Sequence, residues 1–280
     1  MDQARSIQEE LRHRAVQRFA NAAYYKPRAS SLGPAIDALA PLLVQKLPAQ
    51  AQHDDVHSVQ FGAVLNDRAG GLLVDPSLPT LYARYQPADS ASGAWAWVVF
   101  VWGYPAPEPT AGVVFRGLKM TLDAEGYPVV YEPWGGLADS SRVPGTVQPL
   151  FVDRSVETAA AARFGPPLPG RRFSIEPTLE LAPDLFVVQL LDRGPIPMGP
   201  YVYLDYPRSM ASTVLCRCSP SQVDRFKVER WYDLRDLREL NGLGISVVDR
   251  FLPPRRHPVT AAASGSMAGD VTRRLRWPGE

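Results

Sequence analysis

The sequence predicts an α+β fold: N-terminal helices packed on a largely antiparallel, strongly aromatic β-sheet, with a loop-rich middle and a disordered C-terminal tail. Three observations predict it. Apolar residues recur every four positions near the start of the chain. From Val56 the texture changes to runs rich in Val, Phe, Tyr and Trp, with Gly, Pro, Asp and Asn between them. One of these runs is apolar on both of its faces.

The opening segment supplies the first helix. Ser6 and Glu9 make a capping box, in which each side chain satisfies a backbone N–H of the first turn, and Ile7, Leu11, Ala15 and Phe19 then share one face. A second helix starts at Pro34 after Gly33 and carries Ile36, Leu39, Leu42, Leu43 and Leu47. It is kinked or restarted at Pro41 and stops before Pro48. Together they form a helical unit over residues 1–48.

The β-rich body spans 56–252. Its first strands are read at Val56–Leu65, Thr80–Gln86, Ala94–Tyr104, Gly112–Leu122 and Tyr127–Trp134. Between the last two, Asp123-Ala124-Glu125-Gly126 closes a hairpin, with Gly126 taking the left-handed position that follows a type I turn. In Ala94–Tyr104 one face shows Trp95, Trp97, Val99 and Val101, and the other shows Val98, Phe100 and Trp102, so neither face is solvated. That strand is central, and the N-terminal helices are the expected second cover.

Gly135–Pro183 is loop-rich, with one short helix over Ser155–Phe164 closed by Gly165. A second β pair, Leu185–Leu191 and Tyr201–Asp205, flanks Asp192-Arg193-Gly194-Pro195, and Ser212–Cys218 alternates as another strand. Ser219-Pro220-Ser221-Gln222 restarts a helix. Val228–Tyr232 fits either that helix or a short strand, in which case Asp233 caps a separate helix. Residues 1–252 are expected to make one compact domain, and 253–280 a flexible basic tail.

Composition bounds the function. A chain that is 45% hydrophobic and 21% charged is not disordered throughout. Its net charge of +1 supplies no global field toward nucleic acid or an anionic membrane. From Arg250 onward six arginines against Asp270 and Glu280 give +4, leaving −3 on the body, so nucleic acid is expected only through the tail. No run approaches the ~20 apolar residues of a membrane span, and no signal-peptide core fits among the charged first eighteen residues. Two cysteines, Cys216 and Cys218, are too few for a secreted disulfide framework. A cytoplasmic setting without a membrane partner is expected. Proline, at 28 of 280 residues, is about twice the usual ~5% and points to rigid proline-rich loops.

Three clusters carry candidate chemistry. His53, Asp55 and His57 form the densest group of metal-capable side chains. On a helix the two histidines share a face and grip one ion; on a strand they stand ~13 Å apart and do not. The linker-like run before them and the β-patterned run after them favour a polar loop. Cys216 and Cys218 point to one face of a strand, as packed thiols or as a redox pair. Tyr201 and Tyr203 share a strand face, Arg208 follows, and Trp134 ends an earlier strand. Such aromatic and arginine side chains on rigid strand ends suit partner recognition, since they offer area at little entropic cost. The competing reading makes them half-buried strand residues.

No nucleophile elbow or glycine-rich phosphate loop occurs. The sequence therefore favours a non-catalytic binding or assembly module that recognises a protein partner through Trp134, Tyr201, Tyr203 and Arg208. The alternative is a metal-assisted hydrolase using His53, Asp55 and His57, which requires a third ligand from elsewhere.

Overall fold

The computed structural model describes residues 22–48, 60–67, 70–87, 96–106, 112–135, 147–154, 174–175, 184–205, 211–215, 217, 228–245 and 275–276. In chain order the elements are β1 (Ala22–Pro27), α1 (Pro34–Leu39), β2 (Leu42–Lys46), β3 (Ala63–Asn66), β4 (Leu72–Asp75), β5 (Thr80–Gln86), β6 (Trp97–Pro105), β7 (Val113–Leu122) and β8 (Pro128–Gly135). They continue with β9 (Val147–Asp153), β10 (Ser174–Ile175), β11 (Asp184–Leu191), β12 (Tyr201–Leu204), β13 (Ala211–Leu215), β14 (Val228–Asp236), a 3-10 helix (Leu237–Leu243) and β15 (Leu275–Arg276). The fold is mostly β, which corrects the α+β expectation.

The second predicted helix shows why. Proline excludes the α region for the residue before it, and Ala40, ahead of Pro41, sits at φ −58°, ψ 126°. The helix therefore ends at Leu39, and the leucines beyond it belong to a strand. Leu43 and Gln45 point inward, while Val44 joins an apolar cluster on the other face. A four-residue leucine spacing and a two-residue alternation overlap in such a short run, and Pro41 decides between them. The first predicted helix precedes residue 22 and lies outside the described residues, as does Ser155–Phe164.

Thirteen strands hydrogen-bond in the order β13-β12-β2-β1-β14-β5-β6-β7-β8-β9-β11-β10-β15. The order from β5 to β8 is the expected antiparallel meander. Four pairings are parallel: β1 with β14, β14 with β5, β2 with β12, and β9 with β11. β14 joins the two halves of the sheet, since Val228–Tyr232 pair with β1 and Asp233–Asp236 with β5. The sheet curls into a nearly closed, barrel-like wall. One interior receives Tyr25, Leu43, Leu81, Phe100, Trp102, Leu118, Met120, Tyr131, Phe151, Val202, Val214 and Tyr232.

β6 is dry on both faces, as its residue pattern predicts. Val98, Phe100, Trp102 and Tyr104 fill the interior. Trp97, Val99 and Val101 pack outside the wall with Val64, Val113, Phe115, Leu237 and Leu240. The described cover on that outer side is therefore the β3–β4 hairpin and the 3-10 helix rather than N-terminal helices. Two glycines permit the approach. Gly62 bridges Gly103 across to β6, and a Cβ on Gly62 would stand 1.9 Å from the Asp75 carbonyl oxygen.

The Leu122–Tyr127 hairpin forms as expected. Gly126 has φ +85°, and the Asp123 carboxylate accepts from the Glu125 and Tyr127 backbone N–H groups at 3.1 and 2.8 Å. The second predicted β pair does not form. β11 pairs with β9 and β10, and β12 pairs with β2 and β13, because Pro195, Pro197 and Pro200 in the connection prevent a tight hairpin. Val228–Tyr232 is strand, and the cap of the following 3-10 helix is Asp236, not Asp233. Of the predicted tail only Leu275–Arg276 is described, as a two-residue strand against β10.

Candidate binding surface

The predicted recognition residues do not converge. Tyr201 and Tyr203 are 5% and 4% exposed, buried with Tyr24, Val44 and Leu215 on the face of β12 away from the barrel interior. Tyr24 and Tyr201 lie 6.4 Å apart, ring centroid to ring centroid. Their aromatic area is spent on packing within the chain. Trp134 stands opposite Gly117 in the β7–β8 ladder. Arg208, the His53, Asp55 and His57 cluster, and Cys216 and Cys218 lie outside the described residues. Among the described residues no three metal-capable side chains come together, and no helix is long and apolar enough to cross a membrane.

The structure exposes other apolar side chains: Leu65, Leu73, Leu78, Ile196 and Trp231. Three of these belong to the β3–β4 region. Leu65 faces Leu73 directly across the antiparallel ladder, and Leu78 lies at the base, its carbonyl accepting from the Ala63 N–H at 2.9 Å. Alternation turns Val64, Leu72 and Val74 down onto β6 and β7, leaving Leu65 and Leu73 outward. The hairpin is thus apolar above and below, whereas a hairpin that merely roofs a sheet carries polar residues outward.

Its ends are held by side-chain clasps. Asp67 accepts from the Gly71 N–H at 2.6 Å, and Asp75 accepts from the Ser77 N–H and hydroxyl at 2.9 and 2.6 Å. A contact surface on such a base loses little entropy on binding. Trp231 stands apart on β14, with the Lys26 ammonium 5.7 Å from its ring and Glu229 pairing that ammonium at 2.7 Å.

Polar groups gather at a second place. Arg193 donates to Asp123 at 2.6 Å, lies 3.6 Å from Asp153 and stacks 4.6 Å from the Tyr127 ring centroid. Tyr127 donates its hydroxyl to the Pro195 carbonyl at 3.2 Å. These contacts lock the Asp123–Tyr127 turn to the Asp192–Pro200 loop, two turns evident in sequence whose pairing is not. The adjoining cavity, lined in part by Tyr131, Asp153, Asp192, Arg193 and Arg217, measures about 10 Å³. That holds roughly one water, far below the ~300–1,000 Å³ of a small-molecule site.

The leucine face went unread in the sequence, yet a signal exists. Gly70-Gly71 stands between the apolar runs Val64-Leu65 and Leu72-Leu73-Val74, which is a hairpin pattern. Comparison with protein-family models, curated proteins and solved structures returns no match. The functional argument therefore rests on this chain's own surface.

Proposed function

We propose that this chain is a non-catalytic binding module whose contact surface for a protein partner is the outer face of the β3–β4 hairpin. The outward Leu65–Leu73 pair, with Leu78 beside it, carries the reading. Contiguous exposed apolar side chains on a rigid base mark interaction sites, whereas isolated ones are ordinary. Central interface side chains typically contribute ~1–3 kcal/mol each, so two charges placed there are expected to weaken binding by at least about 30-fold.

The test is a Leu65→Lys/Leu73→Lys double variant, compared with wild type in quantitative capture from the native source and with a photo-crosslinker placed at Leu73. A specific partner is expected to crosslink at position 73 and not at the distant exposed Glu125, and to be lost from the double variant while the melting temperature stays within about 3 °C. Identical captured sets from both proteins would contradict the proposal.

A further inference from the structure

The outer face of β14 carries an exposed indole set among paired charges. Alternation turns Tyr232 and Leu234 into the barrel and leaves Glu229, Trp231, Asp233 and Arg235 outward. Trp231 is 47% exposed. Its strand is hydrogen-bonded to β1 and, from Asp233 onward, to β5, which fixes the backbone under the ring. Lys26 is its register partner on β1. The Lys26 ammonium lies 5.7 Å from the indole centroid and 5.3 Å from that of Tyr24, within cation–π range of both rings, and Glu229 pairs the same ammonium at 2.7 Å. Two residues further along the strand, Asp233 pairs with Arg28 at 2.8 Å, and Arg235 lies 4.0 Å from Glu239. The charges on either side of the indole therefore cancel in pairs, and each pair reaches solvent.

This arrangement selects a ligand class. The indole already holds one cation, Lys26, which repels a second. The balanced pairs give a phosphate or sulfate no net attraction. A purely apolar partner would have to strip water from two partly exposed ion pairs, a cost without return. A neutral polyhydroxylated ring meets the surface on both counts. Its C–H face packs on the indole, and hydroxyls at its rim exchange water for the Glu229 and Asp233 carboxylates as acceptors and the Arg28 guanidinium as donor. Successive outward side chains on a strand stand ~7 Å apart, so these groups flank a sugar stacked over the ring. We propose that the outer face of β14 at Trp231 is a binding site for a neutral oligosaccharide, separate from the hairpin face and independent of it.

Indole proton–nitrogen-15 NMR of the full chain, titrated with cellohexaose, chitohexaose and maltohexaose, is the direct test. The indole resonance missing from Trp231→Phe belongs to Trp231. In wild type it is expected to shift saturably with at least one of the three sugars, and to keep doing so when salt is raised enough to screen surface charge. Trp231→Ala is expected to weaken that binding at least about fivefold, the scale set by removing one stacked ring, and Trp231→Tyr to retain part of it. Absence of a saturable shift of any wild-type indole resonance with all three sugars overturns the proposal whether or not the variants fold. So does sugar binding of equal strength in wild type and Trp231→Ala, or a Trp231 shift produced by a heparin hexasaccharide and by none of the neutral sugars.

Discussion

Raising the pH past about 10 is expected to unfold the protein cooperatively, with the interior phenols titrating only as the chain opens. Burial pushes Tyr25 up to about 12, against the opposing Arg230 guanidinium. Burial raises Tyr131 as well, the Asp153 carboxylate adding to it, and takes Tyr232 well above the ordinary phenol value. Tyr24 and Tyr82 move the same way.

The sign follows from linkage. In the unfolded chain these groups lose protons near pH 10 while the folded state retains them, so the stability they contribute is full below pH 10 and is lost as pH rises toward the folded values. Five such phenols at ~1.36 kcal/mol per pH unit each give a slope of up to about 7 kcal/mol per unit. A typical net stability of ~5–15 kcal/mol then reaches zero within a few units, its lower end within about one.

The composition keeps the readout clean. Of the thirty Lys and Arg side chains only four are lysines, the side-chain type whose ordinary range overlaps that of the phenols. Phenolate absorbance and near-ultraviolet circular dichroism followed together are expected to share one late, coincident transition of the interior phenols, and Tyr131→Phe is expected to reduce the slope by about a fifth. Smooth phenol titration near pH 10 with the tertiary signal intact would mean that the interior is wet.

Gly62→Ala is expected to cost about 3 kcal/mol. The added Cβ would meet the Asp75 carbonyl oxygen at 1.9 Å and its carbon at 2.5 Å, backbone atoms that move only if the hairpin moves. Overpacking of this kind typically costs ~1–3 kcal/mol. Lifting the hairpin also uncovers Val64, whose burial contributes further. In a chain of this size that corresponds to a melting temperature lowered by about 6–12 °C. Gly242→Ala is the control, because no atom lies within 4 Å of its Cβ position. It is expected to change stability by less than about 0.5 kcal/mol. Equal melting temperatures for the two variants would show that the hairpin does not rest on Gly62.

Much of the fold was legible where the signal is local. The alternating, two-sided apolar pattern of Trp97–Tyr104 located the doubly buried strand, and Asp123 with Gly126 located its neighbouring hairpin. What was missed depends on distant partners or on proline. β1, with the sequence Ala-Ala-Tyr-Tyr-Lys-Pro, is a strand because it pairs with β14 some two hundred residues later, and no local pattern announces that. β9 contains Pro149, which speaks against a strand, yet it pairs in parallel with β11.

The candidate surface is less legible, because alternating tyrosines on a strand fit a recognition face and a half-buried packing face equally well. Tyr201 and Tyr203 fill a buried cluster, while the exposed apolar face is aliphatic. Arg193 illustrates a different limit. Its partner Asp123 is seventy residues earlier, and charge complementarity at that separation becomes visible only once the turns are placed side by side.

Native-state amide hydrogen exchange on β6 tests most directly the claim that this strand is roofed by the hairpin on one side and enclosed by the barrel on the other. The amides of Val98–Tyr104 are expected to exchange only through global unfolding, with the same free energy and denaturant dependence as the whole molecule. Exchange of these amides through local opening, at a free energy several kcal/mol below the global value, would contradict the doubly covered strand and the hairpin platform that depends on it.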